Sequence, residues 1–83
     1  MVLAYKLLNH SVQCGSNDTE LGSDYNLKRC AEACLEKSAC SYFISGTKEK
    51  AGMCWWEFTE SADCPQGLEN DDYNFYEVIS MPY

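Results

Sequence analysis

Few side chains in this 83-residue chain are equipped for chemistry. They are six cysteines, at positions 14, 30, 34, 40, 54 and 64, one histidine, His10, and two adjacent tryptophans, Trp55 and Trp56, set between Cys54 and Cys64. Six cysteines in so short a chain read as a disulfide framework made in an oxidising compartment. Tetrahedral zinc favours short cysteine pairs, usually two of them, often with histidine. Cys30 and Cys34 form one such pair, but no second short pair follows and His10 stands apart, so disulfides are the expectation and no metal is. Six cysteines allow 15 connectivities, and spacing alone does not choose among them.

Nucleophilic catalysis needs a base beside a Ser or Cys. His10 is the only imidazole, and the cysteines are read as oxidised. Acid pairs between Leu68 and Glu77 are ordinary in an acidic chain. The expectation is a protein that is not an enzyme, with no catalytic residue and no cofactor. Glu69, Asn70, Asp71 and Asp72 offer oxygens to calcium but lack the EF-hand spacing, and a solvated loop is the preferred reading. Asn9-His10-Ser11 and Asn17-Asp18-Thr19 are N-glycosylation sequons, so Asn9 and Asn17 are candidate modification sites on a eukaryotic secretory route.

Thirteen acidic residues against six basic ones give a net charge of −7 and a pI of about 4.4. The six cations are scattered, with no basic stripe, which argues against nucleic acid, heparin or an anionic lipid surface as partner. No apolar run approaches the length of a membrane helix, so no direct membrane insertion is expected. MVLAYKLL is too short and interrupted for a signal peptide, so the segment reads as a mature form or an excised domain. A core this small is marginal without staples.

The elements that must position these residues follow from period and composition. Residues 1–8 read as a strand and residues 15–24 as a loop, with Ser23 or Asp24 as helix N-cap. Leu27, Cys30, Ala31, Cys34 and Leu35 recur at helical spacing. Cys30 and Cys34 therefore share a face, and each is expected to bond to the strands beneath rather than to the other. CSYFIS, MCWWEFT and YNFYEVIS read as strands, with an acidic loop, ESADCPQGLENDD, before the last. One domain over 1–83 is expected: a small disulfide-rich α+β fold, one α-helix packed on an antiparallel β-sheet.

CAEACLEKSACSYF followed by GMCWWE resembles the PAN/apple domain family, on Cys30, Cys34, Cys40, Phe43, Gly52 and Cys54, with Cys14 and Cys64 similar to the outer pair of apple-type members. The resemblance covers about residues 14–79. It implies the pairs Cys30–Cys54, Cys34–Cys40 and Cys14–Cys64, and a module that binds protein or glycan. With Cys54 bonded to the helix, alternation puts Trp56 and Phe58 inward and Trp55 and Glu57 outward. Alternation from Cys40 would put Tyr42 inside, whereas the family pattern favours Phe43. Trp55, Glu57 and Tyr76 are then the candidate binding residues, with Tyr73, Phe75 and Tyr83 as further aromatics near them. The leading expectation is an extracellular binding module. The alternative is a small accessory subunit of a larger complex, in the extracellular space or a thylakoid lumen at the periphery of a photosystem, with Met81-Pro82-Tyr83 within its contact surface.

Overall fold

A computed structural model describes residues 2–81; Met1, Pro82 and Tyr83 lie outside the described residues. The chain runs β1 (Val2–Asn9), β2 (Val12–Cys14), β3 (Asp18–Gly22), α1 (Leu27–Leu35), β4 (Tyr42–Gly46), a 3₁₀ turn (Lys48–Lys50), β5 (Cys54–Glu57), β6 (Leu68–Asn70) and β7 (Tyr73–Met81). Five strands form one antiparallel sheet in the order β1-β7-β4-β5-β3. The other two, β2 and β6, pair as a separate antiparallel ribbon. The expected class, one helix on an antiparallel sheet, is the observed one.

The helix begins where Asn26 caps it: the Asn26 side chain accepts the Arg29 N–H at 2.8 Å. Such a cap contributes about 1 kcal/mol. Ser23 and Asp24, the expected caps, lie in the preceding turn, where Asp24 takes a positive φ of 58° and the Tyr25 N–H bonds the Gly52 carbonyl. The buried helix face is made of Cys30, Ala31, Ala33 and Cys34. These small side chains let the helix lie close to the sheet, and the bulk comes from below. Phe43 is fully buried and stacks on Tyr76 with ring centroids 5.1 Å apart.

The three disulfides join Cys30 to Cys54, Cys34 to Cys40 and Cys14 to Cys64, the pairs that the resemblance implies. Cys30–Cys54 ties helix to sheet, Cys34–Cys40 ties the helix end to the entry of β4, and Cys14–Cys64 anchors the ribbon. Three disulfides belong to an oxidising, non-cytosolic compartment. No helix among the described residues is long and apolar enough to cross a membrane.

The sheet is covered on both faces. On one, Phe43, Cys54 and Tyr76 pack against Cys30, Ala31 and Cys34 of the helix. On the other, Tyr42, Ile44, Tyr73 and Phe75 pack against Cys14 and Cys64. The conflict between Tyr42 and Phe43 therefore dissolves: both are buried, one on each side. Two expected loops are in part strands. Asp18–Gly22 pairs with β5 as an edge strand, and Leu68–Asn70 pairs with β2.

The turn from β4 to β5 is tight. A Cβ at Gly46 would run into the Lys50 carbonyl, a backbone atom that cannot step aside. Gly46→Ala is expected to lower stability by roughly 2–4 kcal/mol, read as a drop in the urea midpoint at unchanged slope.

Candidate functional site

Cys54 is fixed against the helix by its disulfide, so strand alternation sends Trp55 and Glu57 to the opposite face. That face carries the ribbon layer, and both side chains end beneath it rather than in solvent. Trp55 is half-buried, packed against the ribbon-side core and paired in register with Ile44 of β4 and Glu20 of β3. Glu57 is 1% exposed. The outward placement expected for Glu57 is thus corrected: it is a buried group, because a second layer covers the face that alternation alone would leave open.

Tyr76 is corrected too. It is buried, stacked on Phe43 beside the helix, with no free face for a partner. Trp56 is half-buried rather than buried. Phe58, expected inward, is exposed, because β5 ends at Glu57 before Phe58. Its ring still meets Trp56 edge to face, with centroids 4.8 Å apart.

Of the three expected binding residues, Trp55 borders a concavity. It lines a cleft of about 230 Å³ with Tyr73 and Ile44; Gln13, Asp18, Lys50 and Asp71 complete the lining. Residues far apart in sequence meet here because the ribbon lies over the sheet. Lys50, on the 3₁₀ turn, pairs with Asp71 Oδ1, and its Nζ lies 4.9 Å from the centre of the Tyr73 ring. The hydrogen bond to Asp71 raises the Lys50 pKa, and the same contact lowers that of Asp71. Tyr73 donates its hydroxyl to Met53 Sδ at 3.7 Å, and burial raises its phenol pKa. Asp71 also borders a second hollow of about 350 Å³, lined by Ser11, Lys48, Asn70 and Asp72.

Among the described residues, three buried polar atoms make no well-formed hydrogen bond: Trp55 Nε1, which has Tyr73 beside it, Glu57 Oε1, which has Asp18 beside it, and Ser16 Oγ. Such orphans are few in native proteins, and each calls for an explanation. The Cys14 N–H donates to the other Glu57 oxygen at 2.9 Å. Burial, with Asp18 beside it, pushes the Glu57 pKa from 4.5 up to about 8, so this carboxyl keeps its proton at neutral pH.

Asn9 and Asn17 are both exposed, Asn9 at the end of β1 and Asn17 just before β3. The acidic run Glu69–Asp72, read as a solvated loop in preference to a calcium site, is divided between β6 and the turn after it, and Asp71 within it is held by Lys50. Among the described residues no group of three or more His, Cys, Asp or Glu comes together in a way that could hold a metal ion. Sequence reasoning found Trp55 and noted Tyr73. It missed Gln13, Asp18 and the Lys50–Asp71 pair, whose meeting depends on the ribbon's path and leaves no local signal. Comparison of the chain with protein-family models, with curated proteins and with solved structures finds no match in any of the three.

Proposed function

We propose that the chain is a non-enzymatic, extracellular binding module of PAN/apple type, and that its cleft holds a neutral, hydroxyl-rich ligand such as one sugar unit of a glycan. The observation that carries this reading is Trp55 in a wall of the cleft, with a buried Nε1 that makes no well-formed hydrogen bond within the fold and has only the neighbouring Tyr73 beside it. A donor left unsatisfied there costs free energy that a ligand oxygen recovers. A carboxylate ligand would meet Asp18 and Asp71. An ammonium would leave Trp55 Nε1 unanswered and face Lys50. A hydroxyl can accept from Trp55 and donate to Asp18, while Trp55, Tyr73 and Ile44 supply apolar surface for the ring. The volume lies below that of a drug-sized pocket, which suits a single ring.

Screening a neutral-glycan array, then titrating the best ligand by NMR, tests this. Trp55→Phe keeps an aromatic wall and removes the donor. It is expected to weaken binding tenfold or more, the equivalent of one lost hydrogen bond, with the fold intact by circular dichroism. Equal affinity in the variant, or no glycan bound by the parent, would sink the reading.

A second reading has one observation in its favour. Among the described residues, Tyr5 and Leu7 of β1 are large apolar side chains exposed on the helix-side face at one margin of the sheet, and Ile79 of β7 is exposed on the opposite face of that margin. That is the kind of surface an accessory subunit of a larger complex would turn toward a neighbour, whether outside the cell or in a thylakoid lumen.

A further inference from the structure

The two edges of the five-stranded sheet are unlike. β3, the shorter at five residues, carries Asp18 and Glu20, both exposed, and its pairing slips between Glu20 and Gly22. Short length, edge charges and a bulge are the devices that keep an edge strand from pairing with another chain. β1 has little of this protection. It is eight residues long, contains no proline, and holds none of the chain's thirteen acidic residues. Its register with β7 is unbroken from Val2 to Leu7, and the irregularity comes only between Leu7 and Asn9. Its one charge, Lys6, stands directly opposite Glu77 of β7, so the edge is close to neutral in a chain of net charge −7.

This margin of the sheet exposes apolar side chains on both faces, with Lys6 and Glu77 paired between them on the side away from the helix. Tyr5 and Leu7 are exposed on the helix side, and Ile79 is exposed on the other. Tyr5 is held in place by edge-to-face contacts with Tyr76, at 5.9 Å, and Phe43, at 6.4 Å. Its ring is therefore ordered before any partner arrives, which limits the entropy lost on contact.

We propose that β1 pairs with β1 of a second copy of this chain, antiparallel about a two-fold axis at Tyr5, to make one continuous ten-stranded sheet. The sequence is self-complementary in that register. Tyr5 stands opposite Tyr5 of the second copy, Leu7 opposite Leu3, and Lys6 opposite Ala4, so no like charges oppose each other across the new seam. The absence of acid selects this edge over β3: two copies of so acidic a protein can approach most closely where neither carries a carboxylate. Backbone hydrogen bonds between the edges supply the attraction, as in strand addition generally. The consequence is bivalence. No residue of β1 lines the cleft, whose walls come from β7, β4, β5, β3 and the ribbon side, so pairing along β1 leaves both clefts of a dimer open. The dimer does not depend on what the cleft binds.

Sedimentation equilibrium of the oxidised chain tests this. The average mass should rise from 9.4 kDa toward twice that value as concentration goes from about 1 µM to about 1 mM, the range of small interfaces. Leu7→Asp, which gives β1 the kind of guard that β3 has, should shift the curve at least tenfold toward monomer. A guard variant on the other edge, Thr19→Asp, should leave it unmoved. Because Leu7→Asp could disturb β1 itself, hydrogen exchange on the parent supplies a second readout: β1 amides should become slower to exchange as concentration rises, and β3 amides should not. A mass of 9.4 kDa throughout, or association that ignores Leu7→Asp with β1 exchange unchanged, would overturn the proposal.

Discussion

A chain with Cys30 and Cys54 both changed to alanine is expected to be largely unfolded at 37 °C. Both cysteines are completely buried, and their bond joins helix to sheet in the centre of the helix-side core. Freeing the loop between them, of sequence separation 24, costs roughly 3.5 kcal/mol on the chain-entropy model. Removing two buried sulfurs adds a packing loss in a helix face already made of small residues. A domain of this length holds on the order of 4–12 kcal/mol in all, so the change removes a large share of it. The same model ranks Cys14–Cys64 higher, at about 4 kcal/mol, because its separation is 50. Packing reverses that order. Cys14–Cys64 anchors a two-stranded ribbon, and its loss should release β2 and β6 while leaving α1 on the sheet. Circular dichroism and urea unfolding of the two double variants decide between them. If Cys14→Ala/Cys64→Ala proves the less stable, loop entropy outweighs packing here.

What the sequence discloses and what it conceals divide along physical lines. The helix from Leu27 to Leu35 is legible because its apolar and cysteine positions keep a strict period. β4, β5 and β7 are legible because they are dense in aromatic and β-branched residues. β3 is not legible. Asp-Thr-Glu-Leu-Gly has a loop composition and becomes a strand only because the edge of β5 lies beside it. β2 and β6 are three residues each and define each other. Overlooking that ribbon is what misplaces the site. With one covered face, the tryptophan pair would divide into one inner and one outer ring. With two covered faces, both become half-buried, and Glu57 goes under the second layer instead of into water. Trp55 survives as the leading residue because the ribbon leaves a cleft beside it. Tyr76 does not, because the helix-side core fills with sheet aromatics where the helix offers only cysteine and alanine.

Glu57 has the other large expected effect, and it is one of pH. Its carboxyl is almost wholly buried, close to Asp18 of β3, with Glu69 of β6 adding a further negative charge and only the Cys14 N–H of β2 favouring ionisation. The folded pKa of about 8 stands above the ordinary 4.5, so the native state holds this proton more tightly than the unfolded chain does. Below about pH 4.5 both states are protonated and the group's favourable contribution is complete. As pH rises toward 8, unfolding releases a proton that folding retains, and that contribution is lost. Each tenfold difference in proton affinity between the two states is worth about 1.4 kcal/mol, so the loss across the window is on the order of a few kcal/mol. Glu57→Gln keeps the shape and the acceptor for Cys14 N–H but has no proton to lose. Its stability should therefore stay nearly level from pH 5 to pH 9 while that of the parent falls, so the variant becomes the more stable of the two as pH rises. Urea midpoints of both chains at pH 5, 7 and 9 give the answer. Parallel curves would mean that Glu57 ionises freely in the folded state, and that water reaches it beneath the ribbon. A falling parent curve beside a level variant would make the ribbon layer a dry cover, held over an acid that must stay neutral for the cover to stay closed.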